Sequence, residues 1–185
     1  MSCLFVAGSI AISRLHPLVV DRLASAVAQR MIILVGDADG VDRAVQEVLA
    51  EIEGAEVTVF CSGDRPRNNV ADWPVHSVFP DATPGTRAFF TAKDVEMASL
   101  ADYGLMIWDA RSTGTLTNVI ELLSRGRKTV VFVNRDKTFQ TVGDIDALTR
   151  LVDSMSPTAR DKAEHKIRLS RRIEALRAEQ FTLSI

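Results

Sequence analysis

Met31-Ile32-Ile33-Leu34-Val35-Gly36-Asp37-Ala38-Asp39-Gly40-Val41-Asp42-Arg43 is the stretch whose reading decides the fold. Five consecutive apolar residues closed by Gly36 suit a strand buried on both faces. The Asp- and Gly-rich turn that follows gives way to a helical pattern, with Val41, Ala44, Val45, Val48, Leu49 and Ile52 as its apolar stripe and Gly54 as its stop. Asp39 is placed to cap this helix, and Asp42 stands three residues later as an acidic form of the capping box. A strand that runs through a glycine turn into a helix is the repeating unit of an α/β protein.

Outward from this unit the pattern repeats. Leu4-Phe5-Val6-Ala7 is a strand ended by Gly8-Ser9, and His16-Pro17 opens a helix over 18–30 with Leu18, Val19, Leu23, Val27 and Ala28 as its apolar residues. Val57-Thr58-Val59-Phe60 is a third strand. Residues 62–86, rich in Gly, Pro, Asn and Asp, read as a long loop with an extended piece near Val75 to Phe79, and loops of this length commonly carry function. A helix over 87–100, a fourth strand Leu105-Met106-Ile107-Trp108 ended by Asp109, a helix over 115–124 stopped by Gly126, and a fifth strand Thr129-Val130-Val131-Phe132-Val133 complete the alternation. From 145 onward only helix is expected. The expected fold is a three-layer, doubly wound, Rossmann-like α/β domain with a mainly parallel sheet of order 3-2-1-4-5 and right-handed crossovers. The expected division is a body of residues 1–140 and a C-terminal helical extension of residues 141–185.

Composition narrows the class. The 185 residues are 46% hydrophobic and 25% charged, which is globular and argues against disorder. A chain of this length buries a core without disulfides. Cys3 and Cys61 lie in apolar surroundings and read as reduced, buried thiols of a cytoplasmic protein. No apolar run reaches membrane-spanning length and no basic segment precedes an apolar one at the N-terminus, so neither a membrane partner nor a signal peptide is expected. The net charge of −2 excludes a uniformly basic nucleic-acid coat, and the 6% of aromatic residues leave few rings for base stacking. That charge is unevenly spread: residues 160–177 hold seven basic and three acidic side chains against an acidic body. Leu169, Ile173, Leu176 and Leu183 recur at about a heptad, so the extension reads as an amphipathic helix docked on its own body or on a second copy, in a homodimer or higher homo-oligomer. On that reading nucleic acid is not expected as a partner.

In doubly wound folds ligands bind beyond the carboxyl ends of the strands, where the strand order reverses. Here that point lies between the first and fourth strands, beside Gly8-Ser9, residues 36–40 and residues 109–115. Glycines let a ligand approach the backbone, helix N-termini favour anions, and Ser9, Ser112, Thr113 and Thr115 add hydroxyls. The chain has no GxxxxGK[ST], GxGxxG or GxSxG motif and no EF-hand register, and His16, His76 and His165 lack metal-ligand spacing. No metal and no required cofactor is expected. Plainer roles stand beside the functional ones: Asp42 as a helix cap, Lys93 as a solvated helix residue, Asp109 as a turn residue, Trp108 as core, and Arg87 as either surface or a phosphate clamp.

Val6-Ala7-Gly8-Ser9, Gly36-Asp37-Ala38-Asp39-Gly40-Val41-Asp42-Arg43 and Trp108-Asp109-Ala110-Arg111-Ser112-Thr113-Gly114-Thr115 together resemble the SLOG superfamily, which includes the LOG proteins and the Rossmann domain of DprA. The likeness spans about residues 3–134 and is nearest to the YspA/YpsA-related branch. It implies a nucleotide or nucleotide-derived ligand, NAD- or ADP-ribose-like, held by Gly8, Ser9, Gly36, Asp37, Gly40, Asp42, Arg43, Ser112, Thr113, Gly114 and Thr115, in a sensor or ligand-binding protein. LOG members hydrolyse the N-glycosidic bond of nucleotides with an Arg ahead of the fourth strand and a Glu in PGGxGTxxE. Lys93 and Asn118 stand at those places here, and an amide cannot act as a base or steady an oxocarbenium ion as a carboxylate does. Glu121, one turn on, is the substitute. The alternative reading is therefore a nucleotide N-glycosidase, phosphoribohydrolase or deoxyribosyltransferase using Lys93, Asp109, Asn118 and Glu121. Many relatives have Arg after Gly-Ser where this chain has Ile10, which removes one phosphate-pairing cation. A DprA-like, nucleic-acid-associated role is the second alternative.

Overall fold

Continuous apolar runs become strands covered on both faces. The computed structural model describes residues 1–183, with side chains as far as residue 179. Strands β1 (Cys3–Gly8), β2 (Ile32–Gly36), β3 (Val57–Ser62), β4 (Val75–Val78), β5 (Tyr103–Trp108), β6 (Thr129–Val133) and β7 (Thr138–Val142) form one sheet of order β4-β3-β2-β1-β5-β6-β7. All pairings are parallel except β6 with β7. Helices α1 (Pro17–Ala28) and α2 (Val41–Ala50) cover one face, and α3 (Arg87–Leu100), α4 (Thr113–Ser124), α5 (Ile145–Asp153), α6 (Pro157–Ile167) and α7 (Leu169–Leu183) lie on the other. The period of two within a strand makes the division: Leu4, Val6, Ile33 and Val35 pack under α1 and α2, whereas Phe5, Ala7 and Leu34 pack under the remaining helices.

The five expected strands stand in the expected order at the centre of the sheet, and two edge strands are added. β4 extends the sheet beyond β3. β7 folds back on β6 through a turn in which Lys137 takes a φ of 55°. Among the described residues no helix is long and apolar enough to cross a membrane.

Three local expectations are corrected. Asp39 does not cap α2; Gly40 is the N-cap, at φ 74°, and a Cβ there would lie 2.2 Å from the Ile10 carbonyl oxygen, so the backbone itself requires glycine. Gly54 lies beyond α2, which ends at Ala50. α1 starts at Pro17 behind a His16 cap and buries Ala26, leaving Leu18 and Ala28 exposed. The C-terminal helices turn Ala159, Ala163, Ile167, Leu169 and Leu176 into the same apolar cluster as Leu116 and Val119 of α4, with Ile173 partly buried against it. The side chain of Leu183 lies outside the described residues.

Candidate functional site

Strand order reverses between β1 and β5, and a crevice of about 430 Å³ opens there. Ala7 and Gly8 form its floor, the first turn of α4 one wall, α3 another, and Arg67 and α6 its rim. Gly8 is compulsory at the floor, because a Cβ would sit 2.2 Å from the Ile107 carbonyl oxygen and 2.7 Å from a Val41 methyl.

The first turn of α4 is set from beneath. Ser9, 1% exposed, donates its hydroxyl to Asp109 Oδ1 at 2.9 Å. The same carboxylate oxygen accepts the backbone N–H groups of Arg111 (2.9 Å) and Ser112 (2.7 Å). Ser112 then caps α4 by accepting from the Thr115 N–H, and the Trp108 indole N–H donates to the Ser112 carbonyl. This polar knot leaves Ser112, Thr113, Gly114 and Thr115 at the crevice with the helix N-terminus, a place that favours negative charge.

A second knot lies beside the first. Lys93, 3% exposed, is bonded to Asp94 at 2.7 Å and lies 3.7 Å from Asp42 and 3.9 Å from Asp37. Burial opposes its charge, but the carboxylates of Asp94, Asp42 and Asp37 prevail and raise its pKa. Asp42 is pushed up to about 6, first by burial and then by Asp94, with Lys93 and the Ala38 N–H pulling the other way. Burial also opposes ionisation of Asp37, yet the hydrogen bonds from Arg67, helped by Lys93, hold it below the usual carboxylate range. Gly36 completes the packing: a Cβ there would fall 2.3 Å from Asp42 Oδ2 and 2.4 Å from Lys93 Nζ. Lys93 is thus an interior cation balanced by carboxylates, not the solvated helix residue of the plainer reading.

The expected site residues divide into three groups. Gly8, Asp42, Lys93, Ser112, Thr113, Gly114, Thr115 and Asn118 line the crevice. Ser9, Gly36, Asp37, Gly40 and Asp109 stand behind it and shape it. Arg43 and Glu121 stand apart: Arg43 is exposed and paired with Glu47 at 3.0 Å, while Glu121 is bonded to Arg125 at 2.7 Å and faces a smaller neighbouring crevice. Several lining residues were not anticipated, among them Arg67, Phe90, Asp94, Lys162 and Lys166. The two lysines had a readable signal, since they share one face of α6 while Ala159, Ala163 and Ile167 take the buried face. Among the described residues no group of His, Cys, Asp and Glu is arranged to hold a metal ion.

No family model matches the sequence, and no curated protein matches it significantly. Solved structures do. DNA processing protein A (DprA) from Streptococcus pneumoniae matches with a TM-score of 0.60 and 18% identity over 84% of this chain and 57% of its own. DprA from Helicobacter pylori matches with a TM-score of 0.53 and 17% identity over 70% of this chain and 64% of its own, and that protein has a described single-stranded DNA binding mode. The chain has the fold of the DprA proteins. It spans less than two thirds of the length of each. The likeness bears out the expected Rossmann-like fold and adds nothing for the YspA-related branch. It also corrects the expectation of no nucleic-acid partner. That expectation rested on the acidic body and on docking of the basic helix, whereas α6 docks by its apolar face and leaves Lys162 and Lys166 at the crevice.

Proposed function

We propose that this chain binds single-stranded nucleic acid, seating a phosphate at the N-terminus of α4 and an unstacked nucleotide in the crevice. The observation that carries the reading is the convergence of Arg87, Lys162 and Lys166 on that helix end, none of them in an ion pair among the described residues, so that with Arg67 and Lys93 five lining cations stand against the two lining carboxylates Asp42 and Asp94. The net field at the mouth is positive although the chain as a whole is acidic. The Arg67 guanidinium lies 4.6 Å over the Phe90 ring at the rim, and guanidinium planes and aromatic rings are the surfaces on which unpaired bases stack. A concave site of about 430 Å³ accommodates one nucleotide and not a duplex. The DprA fold and the single-stranded DNA binding of the Helicobacter pylori protein support the same reading.

Fluorescence anisotropy with a labelled oligothymidylate of about 20 nucleotides, longer than typical single-strand sites, tests it. Binding should weaken steeply with salt, as counterion release requires, and should exceed binding to a duplex of equal length. Absence of binding at low salt would overturn the reading. The crevice volume also falls in the range of small-molecule pockets, which favours a nucleotide-derived ligand as second reading. Thermal shift with NAD or ADP-ribose, without oligonucleotide binding, would move the function there.

A further inference from the structure

A second crevice of about 220 Å³ lies along α4, and its lining brings Arg172 of α7 together with Arg87 and Lys166, residues that also line the first. Asn118, 7% exposed, lies on the shared wall and presents an uncharged polar side chain to both spaces. Of the carboxylates at the second crevice, Asp94 is bonded to Lys93 and Glu121 to Arg125. Among the described residues no ion pair involves Arg87, Lys166 or Arg172, which leaves these three cations to face the crevice.

We infer that this crevice is a second phosphate subsite, resting on the nucleic-acid reading above, so that the bound strand continues from the α4 N-terminus over Lys166 to Arg172. Three arguments join here. The two spaces are contiguous, so a chain with a repeating anionic backbone can occupy both. The smaller space is too tight for a second buried nucleotide but suits a phosphate and its sugar. The cations come from three different helices, α3, α6 and α7, which share one apolar cluster with α4 through Met97 and Ala98 of α3, Leu116 and Val119 of α4, Ile167 of α6 and Leu169 and Leu176 of α7. The C-terminal helices then act as one bank of a nucleic-acid groove, and the chain should favour oligonucleotides over mononucleotides.

The test compares the full chain with an Arg172→Ala variant, whose lost cation lines the second crevice and not the first, using labelled oligothymidylate and unlabelled dTMP as competitor. A charge-matched control, Arg171→Ala, removes one cation of α7 that lines neither crevice. Each phosphate contact on a single strand contributes about 0.7 to the slope of log affinity against log salt, so the first variant should flatten that slope by about 0.7. Its affinity for the oligonucleotide should fall several-fold with dTMP affinity unchanged, and the control should match the unsubstituted chain. An unchanged slope in the first variant, or equal flattening in the control, overturns the second subsite and leaves the first crevice standing. Failure of the unsubstituted chain to bind oligonucleotide overturns both.

Discussion

Arg67 clasps Asp37 across thirty residues of chain, with Nη2 to Oδ1 at 2.7 Å, Nε to Oδ2 at 3.0 Å, and its own backbone N–H to Oδ2 at 3.0 Å. The long loop after β3 is tied to the end of β2 at this point. Asn68 adds a hydrogen bond to the Asp37 carbonyl, and Gln46 of α2 donates to the carbonyls of both Gly36 and Asn68. The loop is therefore a braced wall of the crevice.

Asp37→Ala should cut that brace. Breaking a buried pair from one side costs about 3–5 kcal/mol, and the half-exposed guanidinium brings the expected loss nearer to 2 kcal/mol. Urea denaturation reads the loss, and hydrogen exchange should quicken at residues 64–70. An unchanged midpoint would mean that the pair contributes nothing to folding.

Asp42 makes stability depend on pH in an unusual direction. Its folded pKa of about 6 lies above the unfolded value, so the native state holds more protons and stability falls as pH rises from about 4 to about 6. Asp37, with a depressed folded pKa, acts oppositely, and its contribution is lost as pH falls below the usual carboxylate range. Asp42→Asn should remove the first slope, so the stability difference between variant and parent should change by about 2 kcal/mol across that window. Denaturation series at pH 4, 5, 6 and 7 check it, and parallel curves would contradict it.

Gly36→Ala should destabilise by about 2–3 kcal/mol, as overpacking of a full interior does. The added methyl meets Asp42 Oδ2 and Lys93 Nζ, both of them fixed by other bonds. Gly126→Ala is the comparison, because nothing lies within 4 Å of a Cβ there and only its φ of 68° opposes the change. A larger loss at Gly126 would show that the buried charges yield easily.

Asp109→Ala should damage both folding and binding. It removes the acceptor for Ser9, Arg111 and Ser112 together, and so releases the turn that presents α4. Ser112→Ala removes the cap and the acceptor of the Thr115 hydroxyl but leaves the Asp109 turn in place, a loss of about 1–2 kcal/mol. Anisotropy and denaturation on both variants should rank Asp109→Ala as the worse in each. Full oligonucleotide affinity in Asp109→Ala would detach the turn from the site.

Gly114→Trp should block without unfolding. Among the described residues beyond its own helix backbone and chain neighbours, a Cβ at this position meets just Ser112 Oγ, at an ordinary 3.8 Å, so the side chain can grow into the crevice. The melting temperature should hold within a few degrees while oligonucleotide affinity drops more than tenfold. Undiminished affinity would place the bound strand elsewhere.

The elements legible in the sequence are those whose signal is local. β1, β2, β3, β5 and β6 are apolar runs because both faces are covered, and the switch point follows from their order. β4 and β7 carry no such run. Val75-His76-Ser77-Val78 is a half-buried edge, legible only as an extended piece, and Thr138-Phe139-Gln140-Thr141-Val142 is largely polar and gains its strand form by pairing with β6. The lining glycines and hydroxyls of the site were legible for the same local reason. Arg67 was not, because its partner lies thirty residues away and its own segment has no periodicity. Lys93 looked like a surface residue because the carboxylates that hold it inside come from α2 and the end of β2 as well as from its neighbour Asp94. Arg43 looked like a site cation by its place in the motif, but the helix turns it outward to Glu47.

The shared apolar cluster of α4, α6 and α7 sets a limit on how this molecule can be dissected. Removing residues 157–185 would strip the cover from Leu116, Val119 and Ile120 and leave a greasy scar beside the very mouth under study. A shortened chain that failed to hold DNA would then report a collapsed wall, not a missing charge. Binding and architecture are fused along this seam, and single side-chain changes on the wet face of α6 are the cleaner instrument.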